Sequence, residues 1–436
     1  MTYSTDTRTL QPGETYVAIR GETHDGHDFV AQAVQKGAAA VVTERDLDPS
    51  VMGGAEVIRV ESALDHLTGL ASEKVRQSGA RVVAITGSVG KTSTRAAVVA
   101  VLGEAFPVVA SEGNKNTPLG LSLTVLNREF GPGHVLVLEM GARLAGDLGE
   151  LCRLFPPTVS VVTNVKAVHV ETLGSIDGVQ REKSSLVRAL GPDGTACLNG
   201  DDPRTRAMAD LHPGRTLLYG TGPDCDLGPE HVTADLPILG DHAVYTALAA
   251  FAVGHALGMD GGAINRGLEG IQPEKGRLAK LRGRGESVLV DDTYNASPEA
   301  ALAALRVLAG LEAERRMAVL GDMLELGETE VEQHVEVLTA AADHADRVFA
   351  VGRIMGRAVE ALPPDVRERV TAVESSAALA EAVRDGRELA PRPGDAVLVK
   401  GSQGARMERV SEALLHPDLD PADWLPRQTE AWKQIA

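Results

Sequence analysis

Short apolar runs, each closed by a polar residue, recur along the chain. They alternate with segments whose apolar residues return every three or four positions. The first pattern marks strands and the second helices. Over residues 1–76, the runs 15–19 (TYVAI), 39–43 (AAVVT) and 57–60 (VIRV) predict strands, and 27–36 and 63–77 predict helices. Polar turns at Asp6-Thr7-Arg8 and Asp25-Gly26-His27 separate them, and Gln77-Ser78-Gly79 predicts a hinge. Together these make a small N-terminal α/β domain.

The pattern changes over residues 77–275. The runs 82–86, 134–139 (HVLVLE) and 158–164 (TVSVVTN) are continuously apolar, as in parallel strands buried on both faces. Residues 194–200 and 215–220 predict further strands, 221–240 a Gly- and Pro-rich loop, and 243–257 an Ala-rich helix. This is a doubly wound domain. Ligands of such sheets sit at the carboxyl ends of the strands, so Glu139 and Asn164 belong on one edge with the loop after residue 86. Residues 276–436 alternate again. Strands fall at 287–292 (SVLVDD), 317–322 (MAVLGD), 347–352 (RVFAVG) and 395–401 (DAVLVKG), with helices at 298–311, 328–342, 377–387 and 405–415. Ser297-Pro298 supplies an N-cap and a first helical residue. The tail from Pro421 reads as an irregular or helical extension. The expected class is α/β in three domains: a small N-terminal one, a central doubly wound phosphate-loop ATPase, and a Rossmann-like C-terminal one lacking a GxGxxG fingerprint.

Composition narrows the function. The net charge of −18 argues against nucleic acid and against a basic membrane-binding patch. Three cysteines without CxxC spacing (Cys152, Cys197, Cys225) suggest a reducing compartment and no structural zinc. No signal peptide and no membrane-length apolar run is present, so a soluble cytoplasmic protein without membrane insertion is expected. A monomer is the default. With only 3% aromatic residues, the cores must rest on Ala, Leu and Val.

The chemistry centres on VVAITGSVGKTST (82–94). A buried strand leads into Gly87-Ser88-Val89-Gly90-Lys91-Thr92, and Ser93 continues into an apolar helix. Glycines let backbone N–H groups turn inward on an anion, Lys91 adds charge for β- and γ-phosphates, and the Thr92 hydroxyl can hold Mg²⁺. Where the usual loop begins with a further glycine, this chain has Ile85. A plain glycine turn is the alternative; the preceding strand and the following Lys-Thr favour nucleotide binding. Glu139 ends a strand where phosphate-loop enzymes carry a metal-binding acid, and a carboxylate suits a hard cation. A solvated strand-end glutamate is its alternative. His169 reads equally as a structural histidine or as a ligand. Lys183, in QREKSSL, reads from its neighbours as a solvated helix lysine. Three polar strand ends, at 291–295 (DDTYN), 321–325 (GDMLE) and 400–402 (KGS), suggest a second ligand surface.

Several stretches resemble one family, the Mur ligases, ATP-dependent amide-forming enzymes of peptidoglycan synthesis. TGSVGKTST is similar to the family's ATP loop. VLEMG (137–141) and TNVKAVHVETLGS (163–175) resemble its metal-binding stretches, and SEGNKNTPLGLSLTVL (111–126) the segment after the first helix. DDTYNASP (291–298), VLGDMLELGE (319–328) and VKGSQGARME (399–408) resemble the members that add a dipeptide. DTRTLQPGETYVAIRGETHDGHDF (6–29) resembles the family's UDP-sugar-binding domain.

The resemblance implies the substrates ATP, UDP-MurNAc-tripeptide and D-Ala-D-Ala. The peptide carboxylate would attack the γ-phosphate to give an acyl phosphate and ADP; the dipeptide amine would then displace phosphate. It also implies that Gly87 to Ser93 cradle ATP, with Arg277 and Asp292 contacting the nucleotide. Thr92 and Glu139 would hold one Mg²⁺, with His169 and Lys183 at a second. Lys183 would match the family lysine that becomes carbamylated. Thr7 and Arg8 would face the UDP, and Asn114, Asn116, Thr117, Tyr294 and Asn295 the peptide and dipeptide. Departures are the replacement of two family asparagines by Ala243 and Thr246 in GDHAVYTALAA, a first domain that begins almost at Asp6-Thr7-Arg8, and a trimmed segment at 221–240. Two alternatives stay open: a related ligase with another amine substrate, and a nucleotide-binding scaffold without catalysis.

Overall fold

The computed structural model describes residues 2–21, 24–113, 115–167, 170–240, 242–272 and 274–433. The chain divides into two compact units, residues 1–235 with 244–271 and residues 236–243 with 272–436.

The first unit holds two sheets. One is all parallel, with strands β1 (Tyr3–Ser4), β2 (Thr15–Val17), β3 (Ala40–Thr43) and β4 (Glu56–Arg59) in sequential order. The other contains β5 (Arg81–Thr86), β6 (Val108–Ala110), β7 (Val135–Glu139), β8 (Val159–Val162), β9 (Thr195–Asn199) and β10 (Arg215–Tyr219). Its order is β10-β9-β8-β5-β7-β6, all parallel. Strands β5, β7, β8 and β9 bury nearly every side chain, which explains their unbroken apolar runs. The winding reverses at β5, between β8 and β7. That reversal opens the crevice in which sheets of this kind bind ligands.

The Ala63–Ser78 helix starts at Ser62, whose hydroxyl accepts from Asp65 N, and stops at Gly79 in the left-handed conformation. Gly79 is thus a helix terminator where a hinge was expected. Leu67, Ala71 and Val75 of this helix share one core with Val82, Ala84, Leu121, Leu136 and Leu138. Truncating a leucine in such a setting costs about 2–5 kcal/mol.

The second unit is built on β11 (Ala279–Arg282), β12 (Val288–Asp292), β13 (Arg315–Gly321), β14 (Arg347–Val351), β15 (Val370–Val373) and β16 (Asp395–Lys400). Their order is β11-β12-β16-β13-β14-β15, and only β11 runs antiparallel. Helices Pro298–Gly310, Glu330–His344 and Ser376–Arg384 lie close to the predicted spans. The fourth predicted helix is broken: a 3-10 turn at Gln403–Ala405 precedes the Glu408–Leu414 helix, because Arg406 takes a left-handed backbone.

The strands absent from the predicted set are short or marginal. β1 and β6 have two and three residues, and β11 and β15 lie at sheet edges with partial exposure. Edge strands lack the continuous apolar signature of central ones.

Candidate active site

In the first unit, β5 runs straight into the glycine loop and the Lys91–Gly103 helix. Gly90 begins that helix with φ 82° and no side-chain cap. A helix N-terminus without a cap presents N–H groups and the positive end of the dipole to an anion. The Asp147–Leu154 helix also starts at a glycine, Gly146, but there the Glu182 carboxylate accepts from Gly146 N and Leu148 N at 2.8 and 2.7 Å. In that helix a protein carboxylate occupies the place that a phosphate would take at Gly90.

The end of β8 fixes the loop. Asn164 accepts from Val89 N at 2.9 Å and donates to Val89 O at 3.0 Å. Thr163 Oγ1 donates to Val89 O at 2.7 Å, and Ser88 N donates to Asn164 O. A Cβ on Gly87 would lie 1.8 Å from Thr163 Oγ1, so only glycine fits there. Lys91 folds over the loop, donating from Nζ to Gly87 O at 2.8 Å. Thr92 and Ser93 follow in the first helical turn, with Thr92 buried.

Glu139 lies one strand away, in register with Ile85 of β5. It is 2% exposed. Oε1 accepts from Asn116 Nδ2 at 3.1 Å, the Arg95 guanidinium is 3.9 Å from Oε2, and Oε2 itself accepts no hydrogen bond. A buried carboxylate oxygen left in this state suits a hard cation, which takes oxygen ligands. Among the described residues no group of three acidic, histidine or cysteine side chains surrounds such a site. His169 and Asn114 lie outside the described residues.

Lys183 departs from the solvated lysine that its neighbours predicted. The Ile176–Arg188 helix, capped by Ser175, buries it to 5% exposure. Burial brings its pKa down to about 7, the Lys91 charge pushes the same way, and Glu182 opposes both. A neutral amine is therefore available near neutral pH.

Asn116 and Thr117 have partners of their own. Asn116 holds Glu139, and the Thr117 hydroxyl caps the Pro118–Leu126 helix by accepting from Gly120 N. Thr7 is buried and donates to Gln32 Oε1 at 2.7 Å. Arg8 is exposed and paired with Asp6, a contact that lowers the Asp6 pKa and raises its own. Ala243 and Thr246 are both buried.

In the second unit, the three polar strand ends lie on the adjacent strands β12, β16 and β13. Lys400 Nζ donates to Asp292 Oδ2 at 2.6 Å and to Asn295 O at 3.0 Å. Ser402 Oγ accepts from Leu324 N and donates to Ala296 O. Leu278 N donates to Asp292 Oδ1. Arg277 stacks on the Tyr294 ring at 4.2 Å. Arg277, Asp292, Tyr294 and Asn295 are therefore one cluster. Asp291, beneath it, is fully buried and bonded by Thr293 and Ser411 hydroxyls; burial raises its pKa to about 7.

Residue types alone did not single out Glu182, Arg95, Glu408 or Arg427. Glu408 sits in the VKGSQGARME stretch; nothing in the local sequence marks Arg427.

Comparison with known proteins agrees with this geometry. Three family models match in order: the Mur ligase family catalytic domain over residues 2–75, the Mur ligase middle domain over 85–254, and the Mur ligase glutamate ligase domain over 276–403. The UDP-N-acetylmuramoyl-tripeptide–D-alanyl-D-alanine ligase of Bacillus subtilis is 34% identical over 95% of this chain and 93% of its own length. The Escherichia coli enzyme of the same name is 32% identical over 94% and 93%. Among solved structures, MurF from Acinetobacter baumannii superposes with a TM-score of 0.84 at 28% identity, covering 94% of this chain and 92% of that one. MurF ligase from Thermotoga maritima in complex with ADP gives 0.77 at 27%, covering 94% and 96%. The chain belongs to the Mur ligase family and has its three-domain α/β fold. Among the described residues no helix is long and apolar enough to cross a membrane.

Proposed function

We propose that the chain joins D-Ala-D-Ala to UDP-MurNAc-tripeptide with conversion of ATP to ADP and phosphate, in the cytoplasm. The observation that carries this reading is the uncapped, glycine-begun helix at the winding reversal, with the buried Glu139 carboxylate in register with Ile85 on the neighbouring strand. The names of the relatives matched over most of the chain supply the substrates.

A carboxylate is a poor acyl donor, and phosphorylation gives it a leaving group. The tripeptide carboxylate attacks the γ-phosphate, forming an acyl phosphate and releasing ADP. The dipeptide amine attacks the acyl carbon, and the tetrahedral adduct expels phosphate. Gly87 to Ser93 bind the phosphates through backbone N–H groups other than those of Ser88 and Val89, which Asn164 takes, and Lys91 offsets charge on the phosphoryl oxygens. Thr92 and Glu139 would hold one Mg²⁺, with His169 and Lys183 at a second; bound Mg²⁺ supplies charge neutralisation at the transferring phosphoryl group. The neutral amine of Lys183, accessible near pH 7, can add CO₂ and release a proton to become a carbamate, an anionic oxygen ligand. Arg277 and Asp292 belong to the nucleotide contact. Thr7 and Arg8 face the UDP, and Asn114, Asn116, Thr117, Tyr294 and Asn295 the peptide substrates.

The test is incubation with UDP-MurNAc-tripeptide, Mg²⁺ATP and D-Ala-D-Ala, omitting each in turn. Phosphate and a pentapeptide product that both require the dipeptide are expected. ATP binding with no dipeptide-dependent turnover would point to another amine substrate. No ATP binding would show that Ala243 and Thr246 have cost the site its nucleotide.

A further inference from the structure

The tail beyond Pro421 is more than an extension. Its Arg427 side chain is 6% exposed and pairs with the still more buried Glu408 at 3.1 Å. The same guanidinium donates to Thr293 O at 2.9 Å and to Tyr294 O. It also lies 5.6 Å from the Tyr294 ring, which Arg277 stacks on at 4.2 Å. A second anchor follows five residues on. Arg406 pairs with Glu408 at 2.6 Å, donates to Trp432 O at 2.9 Å and lies over the Trp432 ring. Both arginines hold left-handed backbone, φ 58° and 55°, a conformation that non-glycine residues keep only where surroundings dictate it.

Gly276 completes the clamp. Its carbonyl accepts from Tyr294 N. A Cβ there would lie 2.9 Å from Tyr294 N and 3.0 Å from Pro426 Cγ. The backbone of Thr293 and Tyr294 is thereby gripped through its carbonyls by the tail and through its amide by Gly276. A strand end normally leaves such groups to solvent. Here a planar, five-donor guanidinium takes two consecutive carbonyls, a geometry that a lysine cannot reproduce.

We propose that Arg427 is a positioning residue: the C-terminal segment 425–432 straps the 293–295 loop into the conformation that receives the dipeptide. The inference rests on the function proposed above for Tyr294 and Asn295. It goes further in making dipeptide recognition depend on the C-terminal tail.

The experiment compares wild type with Arg427→Lys, which keeps the charge opposite Glu408 and loses the double carbonyl contact. Losing one charge-assisted hydrogen bond is worth about a tenfold change. The half-saturating D-Ala-D-Ala concentration should rise about tenfold, with those for ATP and UDP-MurNAc-tripeptide unchanged. In the substrate-free protein the Tyr294 amide should exchange with deuterium faster, while amides of β13 and β14 stay as in wild type. Unchanged dipeptide saturation with a lowered melting temperature would overturn the proposal, because the tail would then serve stability alone. If wild type shows no dipeptide-dependent turnover, the functional reading has failed. The strap is then judged by exchange alone, and equal Tyr294 exchange in variant and wild type overturns it. Arg427→Ala, should it fold, must shift dipeptide saturation at least as far as Arg427→Lys; a smaller shift would count against the proposal.

Discussion

The glycine loop of the first unit and the β12–β16–β13 edge of the second occupy the same place in their sheets, at the carboxyl ends of parallel strands. They are built in opposite ways. Around the loop, groups are left for a ligand: the helix has no side-chain cap, and Glu139 Oε2 accepts no hydrogen bond. At the second edge the ion pairs close internally, Asp292 with Lys400 and Glu408 with Arg406 and Arg427, and only the buried Asp291, whose pKa is raised, keeps a carboxyl oxygen that accepts no hydrogen bond among the described residues of that edge. Polyphosphate can be bound by backbone dipoles that many sequences supply. A small peptide needs a shaped loop, and a shaped loop needs long-range partners to hold it.

If that contrast is right, the two edges should respond differently to mutation. Lys91→Ala removes a charge meant for the ligand, so phosphate release should fall by about 100-fold or more while the thermal melting temperature changes little. A parallel loss of stability would mean that Lys91 serves the loop rather than the ligand. Lys400→Met does the reverse. It strands the Asp292 carboxylate, and breaking a buried pair costs about 3–5 kcal/mol, readable as a lower urea midpoint. An unchanged midpoint would show that the second edge is not held by its charges.

A smaller effect sharpens the Lys183 side of the comparison. Activity should decline in CO₂-depleted buffer and recover on adding bicarbonate, and ¹³C-bicarbonate should give a carbamate resonance absent from Lys183→Ala. Indifference to CO₂ would leave the amine itself as the functional group.

The smallest effect concerns Asp291. Its pKa rises from 3.8 to about 7 in the folded chain. Between those values the native state holds a proton that the unfolded state lacks, so this group's contribution to stability falls as pH rises through the window. Asp291→Asn should flatten urea midpoints between pH 4 and 7. An unaltered slope would mean that the acid is ionised in the native state.

The same contrast explains what could be read from the chain. The phosphate loop was legible because strand, glycines, Lys91 and helix are contiguous and each has a local reason. Lys183 was not, because its burial comes from how its helix packs on distant segments; the neighbouring Glu182 reaches Gly146 and Leu148, 36 and 34 residues away. Thr117 was legible as a polar residue but not as a helix cap, since its Pro118–Leu126 helix is apolar nearly throughout and gives no periodicity. Arg427 was least legible, lying 134 and 133 residues from the carbonyls it holds.

The adjacency of Glu182 and Lys183 has a consequence for how chains of this kind can vary in length. Neighbouring positions on a helix point about 100° apart. One turn therefore directs Glu182 to the start of a second helix and Lys183 into the buried interior. A single insertion or deletion between Ser175 and Glu182 would rotate both side chains off their targets together. Length changes should be purged from the seven-residue stretch before Lys183.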